Sequence, residues 1–147
     1  MKILLITLTA LFSVFNTKAA TTNVKVDPVV LQSFKQSFET ATEVKWSVVR
    51  DYYQADFSYN NMYMTAFFDS EGSFVATSRN ITSLELPAIL QKRLKKEMKG
   101  KWITALTEVS DKSGTTYYVS LENANSVVIM TSDYGTGWNI VQRLQKS

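Results

Sequence analysis

The densest group of chemistry-bearing side chains in this chain is the run KRLKKEMKGK, Lys92 to Lys101, with six cations and one carboxylate in ten positions. On a helix turning about 100° per residue, Lys92, Lys95, Lys96 and Lys99 share about a quarter of the circumference, opposite Leu90, Leu94 and Met98. Such a basic patch could hold lipopolysaccharide, nucleic acid or an acidic partner, or it could be the solvated back of an amphipathic helix. Lysine rather than arginine dominates, and no aromatics are interleaved to stack bases. Nucleic acid is therefore not the expected ligand.

The remaining candidates for chemistry are few. The chain has no histidine, which removes the commonest general base, the Ser-His-Asp arrangement and the usual zinc ligands together. The segments Asp69-Ser70-Glu71-Gly72 and Asp133-Tyr134-Gly135 lack the alternating oxygen ligands of a calcium loop and read as turns. Asn80-Ile81-Thr82 fits a glycosylation sequon, without consequence under a bacterial type of leader. No serine is placed for activation by a lysine, and five glycines, mostly at turns, leave none for a phosphate loop. Carboxylates such as Asp56 and Glu122 cannot be brought together from sequence. No catalytic residue, metal ligand or cofactor is expected.

The first twenty residues, MKILLITLTALFSVFNTKAA, have the order of an export signal: Lys2, an apolar run from Ile3 to Phe15, then small residues at Thr17 and Ala19. Thirteen residues are too few to span a bilayer comfortably. Residues 1–19 are read as a signal peptide, and 20–147 as one mature domain. Loss of Lys2 and Lys18 leaves 14 basic against 13 acidic residues, a net charge of +1, so long-range attraction to DNA or anionic lipid is not implied. With no cysteine there is no disulfide and no thioether-linked lipid anchor. A periplasmic or secreted protein without a stable membrane anchor is expected.

The mature chain must position whatever site it has on helices and short strands. Asp27 before Pro28 is a helix start, and Val30, Leu31, Phe34 and Phe38 recur at helical spacing, which predicts a helix from Pro28 to about Thr40. Alternation then takes over. Val44, Trp46 and Val48 share one face; Tyr53, Ala55, Phe57 and Tyr59 oppose Tyr52, Gln54, Asp56 and Ser58; Met62, Met64, Ala66 and Phe68 oppose Tyr63, Thr65 and Phe67. Turns fall at Arg50-Asp51, Asn60-Asn61 and Asp69 to Gly72, and Phe74 to Thr77 is a fourth strand. The order then repeats: a helix opened by Leu86-Pro87 and ended by Gly100, then strands at Trp102–Val109, Tyr117–Leu121, Ser126–Ser132 and Trp138–Leu144. LQSFKQSF and LQKRLKKEM place large apolar residues alike, and a tryptophan follows each helix. The chain is read as an α+β, two-layer fold. Duplicated helix-plus-four-strand units, about 27–82 and 83–147, form an antiparallel sheet with the helices on one face.

With Phe38, Ala41, Val44-Lys45-Trp46, Tyr53, Phe57, Phe68-Asp69, Gly72 and Leu86-Pro87 as landmarks, the chain resembles the PepSY-like family of periplasmic proteins, which share the fold of the β-lactamase inhibitor protein. The resemblance covers nearly all the mature chain. It departs at Glu39, where a proline commonly follows the phenylalanine, and at Lys99-Gly100-Lys101 before Trp102. Its landmarks are packing and turn residues, so it implies a fold more than an activity.

Trp46, Tyr53 and Phe57 have the parity that meets the helices and are expected in the core, each worth roughly 2–3 kcal/mol of burial. The opposite parity holds Tyr52, Gln54, Asp56, Tyr63, Thr65 and Phe67, and then Tyr118, Ser120 and Glu122. Its rings either pack over strand neighbours or form a rigid contact surface. The resemblance favours contact, because in the inhibitor-like fold the open concave face grips the partner. The expectation is a non-enzymatic binding or inhibitor-like protein. It would meet a protein partner in the cell envelope, such as a peptidase, through Tyr52, Tyr63, Phe67 and Tyr118. The alternative is binding of a small ligand or an anionic envelope surface, through the cleft between the layers or through Lys92, Lys95, Lys96 and Lys99. Oligomeric state is open, since the two halves could also pair between chains.

Overall fold

A computed structural model describes residues 24–132 and 135–147. The expected leader (1–19), and Asp133 and Tyr134 of one expected turn, lie outside the described residues.

The first helix, α1 (Pro28–Ser37), starts where the capping chemistry places it: Asp27 Oδ1 accepts the Val29 N–H at 3.0 Å, and Pro28 sits in the first turn. It stops before Thr40. The Phe38 N–H still reaches the Phe34 carbonyl, but Phe38 has left helical geometry at φ −136°, ψ 60°. Four strands follow, β1 (Thr42–Val49), β2 (Tyr52–Tyr59), β3 (Met62–Phe68) and β4 (Phe74–Asn80). A short 3₁₀ turn (Ser83–Glu85) leads into α2 (Ala88–Glu97), and then come β5 (Trp102–Asp111), β6 (Gly114–Glu122), β7 (Ser126–Ser132) and β8 (Asn139–Gln145). The eight strands form one antiparallel meander in chain order. The β2–β3 hairpin closes on Asn60 and Asn61, both at positive φ (51° and 62°), as the asparagine pair predicts.

Register settles sidedness. Ala55 pairs with Ala66, Ala66 with Thr77, Arg79 with Glu108 and Leu106 with Val119, so one parity runs unbroken across β2 to β6. Both helices lie on it. Val30 and Phe34 of α1 pack on Ala55, Phe57, Ala66 and Phe68. Leu90 and Leu94 of α2 pack on Leu106, Val119, Leu121, Val128 and Met130. The apolar stripes read from sequence are the buried faces at Val30, Phe34, Leu90 and Leu94, whereas Leu31, expected on the first stripe, is 39% exposed at its edge. α1 also descends onto the turn after β3. Gly72, at φ +82°, has Val29 and Ser33 3.1 Å from where a Cβ would sit, so a side chain there would be strained and crowded.

The two apolar clusters meet at a polar seam on the helix side of β4 and β5. Arg79 donates from Nε to Glu108 at 2.7 Å and from Nη1 to Glu85 at 2.9 Å. Glu85 in turn accepts the Thr82 backbone N–H at 2.7 Å, tying the 3₁₀ turn to the sheet. These bonds hold the Glu85 carboxyl below its ordinary range, the Thr82 N–H first and Arg79 next.

Candidate functional site

No helix of the described residues covers the outward parity of the sheet, but its centre is not bare. Phe67, Ala76, Ser78, Thr107 and Tyr118 lie on neighbouring strands β3 to β6, and all are buried. Thr107 Oγ1 also donates to the Asn80 side-chain carbonyl at 3.3 Å.

The four expected contact residues therefore separate. Tyr63 is 62% exposed and Tyr52 half-buried, whereas Phe67 and Tyr118 are 7% and 8% exposed. All four have outward parity, yet Phe67 and Tyr118 serve first as the floor of that surface. Simple alternation gives the side a residue faces but not how far its neighbours close over it.

Around Tyr63 the first half carries an ordered polar group. Asp56, opposite Lys45 on β1 and Thr65 on β3, accepts the Thr65 hydroxyl at 2.6 Å and the Gln54 amide at 3.0 and 3.2 Å. Asp56 forms no ion pair with a described residue, so a carboxylate fixed in orientation faces outward next to an exposed phenol. Partial desolvation, then the fields of Asp56 and Glu43, push the Tyr63 phenol above its ordinary pKa.

One aromatic contributor was missed by alternation. Trp102 is half exposed and pairs with Glu122 on the outward side, with Lys146 Nζ 5.8 Å above its ring and ion-paired to Glu122. Counting by twos back from buried Leu106 would put Trp102 in the core. The bulge between Ile103 and Ala105 reverses the parity. The two tryptophans that follow the helices thus face opposite ways, since Trp46 packs with the α1 cluster.

On the other side, grooves lined by described residues flank the helices. One, of about 950 Å³, runs between α1 and β1 along Leu31, Phe34, Phe38, Val44 and Trp46. Another, of about 540 Å³, lies beside α2 and is lined by Ile89, Lys92, Arg93, Lys96, Glu97 and Trp138. Lys92, Lys95, Lys96 and Lys99 are all exposed, as expected, but only Lys92 and Lys96 line this groove. Among the described residues no group of three or more acidic, histidine or cysteine side chains is placed to hold a metal ion. None of the described helices is long and apolar enough to cross a membrane.

No family model matches the chain, and no curated protein matches it. Solved structures do. A BLIP-like protein from Bacteroides fragilis is 16% identical with a TM-score of 0.71, covering 85% of this chain and 89% of that one. A DUF2874 family protein from Bacteroides uniformis is 22% identical with a TM-score of 0.73, covering 82% and 90%. A proposed periplasmic protein from Bacteroides eggerthii is 16% identical with a TM-score of 0.73, covering 83% and 90%. At such identities a likeness carries backbone and not activity. The chain has the fold of these proteins, that of the BLIP-like protein among them.

Proposed function

We propose that this is an exported, non-enzymatic protein that binds a protein partner in the cell envelope with the outward face of its sheet, in the manner of an inhibitor. The observation that carries the reading is the pairing of exposed Tyr63 with the hydrogen-bonded Asp56 carboxylate on the side away from both helices. A ring and a charge held by a sheet cost little ordering entropy on binding, so most of their contact energy is available for affinity. Phe67 and Tyr118 form the floor, Tyr63 and Tyr52 the contacts in the first half, and Trp102 a further contact in the second. The BLIP-like fold of the Bacteroides fragilis protein supports an inhibitor-like role, and a peptidase is the partner class we favour. We further infer a leader removed from residues 1–19, a mature domain over 20–147 made of two degenerate repeats, and membership of the PepSY-like family.

The test is capture of envelope proteins by the tagged protein and by its Tyr52→Ser/Tyr63→Ser variant. Both positions are at least partly exposed, so the variant keeps its fold, and loss of two aromatic contacts costs about 2 kcal/mol or more, roughly thirtyfold in affinity. Undiminished retention of the same protein by the variant would place the contact elsewhere.

A further inference from the structure

On the helix side, the groove beside α2 combines three features that sequence alone did not join. The first is charge. Lys92, Arg93 and Lys96 line one hollow, and none of them is engaged in an ion pair or hydrogen bond with a described residue. The second is a fixed aromatic wall. The Trp138 indole N–H donates to the Leu90 carbonyl at 3.1 Å, pinning the ring against α2 and the second apolar cluster. The third is the placement of a guanidinium. Arg93 Nη1 lies 3.2 Å from where a Cβ on Gly137 would be, so the missing side chain leaves room for Arg93 to lie over the backbone beside Trp138.

We infer that this groove binds a phosphorylated sugar, with the phosphate among Lys92, Arg93 and Lys96 and the sugar ring on Trp138. A phosphate dianion matches several converging cations better than a carboxylate does, and a guanidinium meets it through two parallel N–H donors. The indole and Ile89 offer an apolar surface to the C–H face of a ring. Glu97 at the rim has a carboxylate that accepts from sugar hydroxyls, and it would disfavour a bare polyanion filling the whole groove. A hollow of about 540 Å³ is in the size range of small-ligand sites. The ligand could be a free sugar phosphate or the phosphosugar headgroup of a lipid, which present the same chemistry. This site lies away from Tyr63 and Asp56, on the other side of the sheet, so it stands or falls independently of the partner-binding reading.

The test is titration of the ¹⁵N-labelled protein with glucosamine 6-phosphate, following the Trp138 indole signal. A saturable shift is expected, absent with glucosamine and much weaker with inorganic phosphate. Two double variants remove the same charge, the first from α2 and the second from α2 and the turn that follows it. Lys92→Gln/Lys96→Gln should weaken binding about tenfold or more, and Lys95→Gln/Lys99→Gln, outside the groove, less than about twofold. Equal loss in both variants would overturn the proposal in favour of diffuse attraction. No shift, or equal shifts with inorganic phosphate, would overturn it as well. A vesicle arm distinguishes the sources. Sedimentation with vesicles carrying a phosphorylated glucosamine lipid, sensitive to Lys92→Gln/Lys96→Gln only, would assign the headgroup. Equal sedimentation with phosphatidylglycerol vesicles would count against a sugar site.

Discussion

The half of the molecule under α1 is held by rings, and the half under α2 by branched and unbranched aliphatic chains. Phe34 meets Phe57 edge-on at 4.9 Å and Trp46 at 5.2 Å, and Phe38 meets Tyr59 at 5.5 Å, in a network of T-shaped and tilted contacts. Under α2 the same place is filled by Leu90, Leu94, Leu106, Leu121, Val128 and Met130, with Trp138 at the margin. The two helices thus pack on the one sheet with different materials. The backbone requires apolar volume on the right parity, and either chemistry supplies it. The outward surfaces differ in parallel. The first half offers Tyr63 and the Asp56 network, the second Trp102 under Lys146.

The largest expected effect sharpens the contrast between the cores. Phe34→Ala removes the ring at the centre of four aromatic contacts and should cost about 3–5 kcal/mol, against about 2–5 kcal/mol for Leu90→Ala, read from denaturant midpoints. A cost for Phe34→Ala well below that of Leu90→Ala would show that the ring network adds nothing beyond its volume.

The next prediction strikes the seam. Arg79→Met leaves Glu108 and Glu85 without their cation while keeping the apolar stem. With both ion pairs partly solvated, the loss should be about 1–2 kcal/mol. If the halves are coupled there, the variant should also broaden the unfolding transition, so a sharp unchanged transition would locate the coupling in β4–β5 pairing alone.

A smaller effect of opposite sign lies in the aliphatic half. Ser132 is fully buried, and its hydroxyl has no hydrogen-bond partner among the described residues, so Ser132→Ala should leave stability unchanged or raise it by up to about 1 kcal/mol. A clear loss would reveal a partner for that hydroxyl.

The smallest effect is in acid. Asp111, the last residue of β5, is held below its ordinary pKa by the Ser113 hydroxyl first and then by the Ser113 and Gly114 N–H groups. A depressed carboxylate stabilises the fold fully above its unfolded pKa of about 3.9, and that stability is lost as pH falls through the lower folded value. Asp111→Asn should therefore flatten the acid limb of the stability curve below about pH 4 and matter little as an acid effect above it. An unchanged acid limb would assign that limb to other carboxylates.

How much of this was legible follows from particular residues. Both helices, the antiparallel sheet and the core parity could be read because Val30, Phe34, Leu90 and Leu94 obey one period, and Ala55, Phe57, Ala66 and Phe68 the other. The Asn60-Asn61 turn was legible because asparagine tolerates the positive φ it needs. Trp102 was not, because a bulge two residues on reverses alternation and leaves no strong mark in TALT. The burial of Phe67 and Tyr118 was not, because it depends on what neighbouring strands place beside them. The groove beside α2 escaped too. Trp138 was read as the first residue of the last strand, but β8 begins at Asn139, and Trp138 instead turns back to bond the Leu90 carbonyl 48 positions away.

The central claim is that partner contact lies on the outward sheet face around Tyr63, and site-specific photocrosslinking in living cells tests it most directly. A benzophenone amino acid is placed at position 63 in one strain and at position 95, on the exposed back of α2, in another. We predict a discrete higher-mass adduct with an envelope protein from position 63 and none from position 95. Absence of an adduct at 63, or the same adduct from both positions, would contradict it.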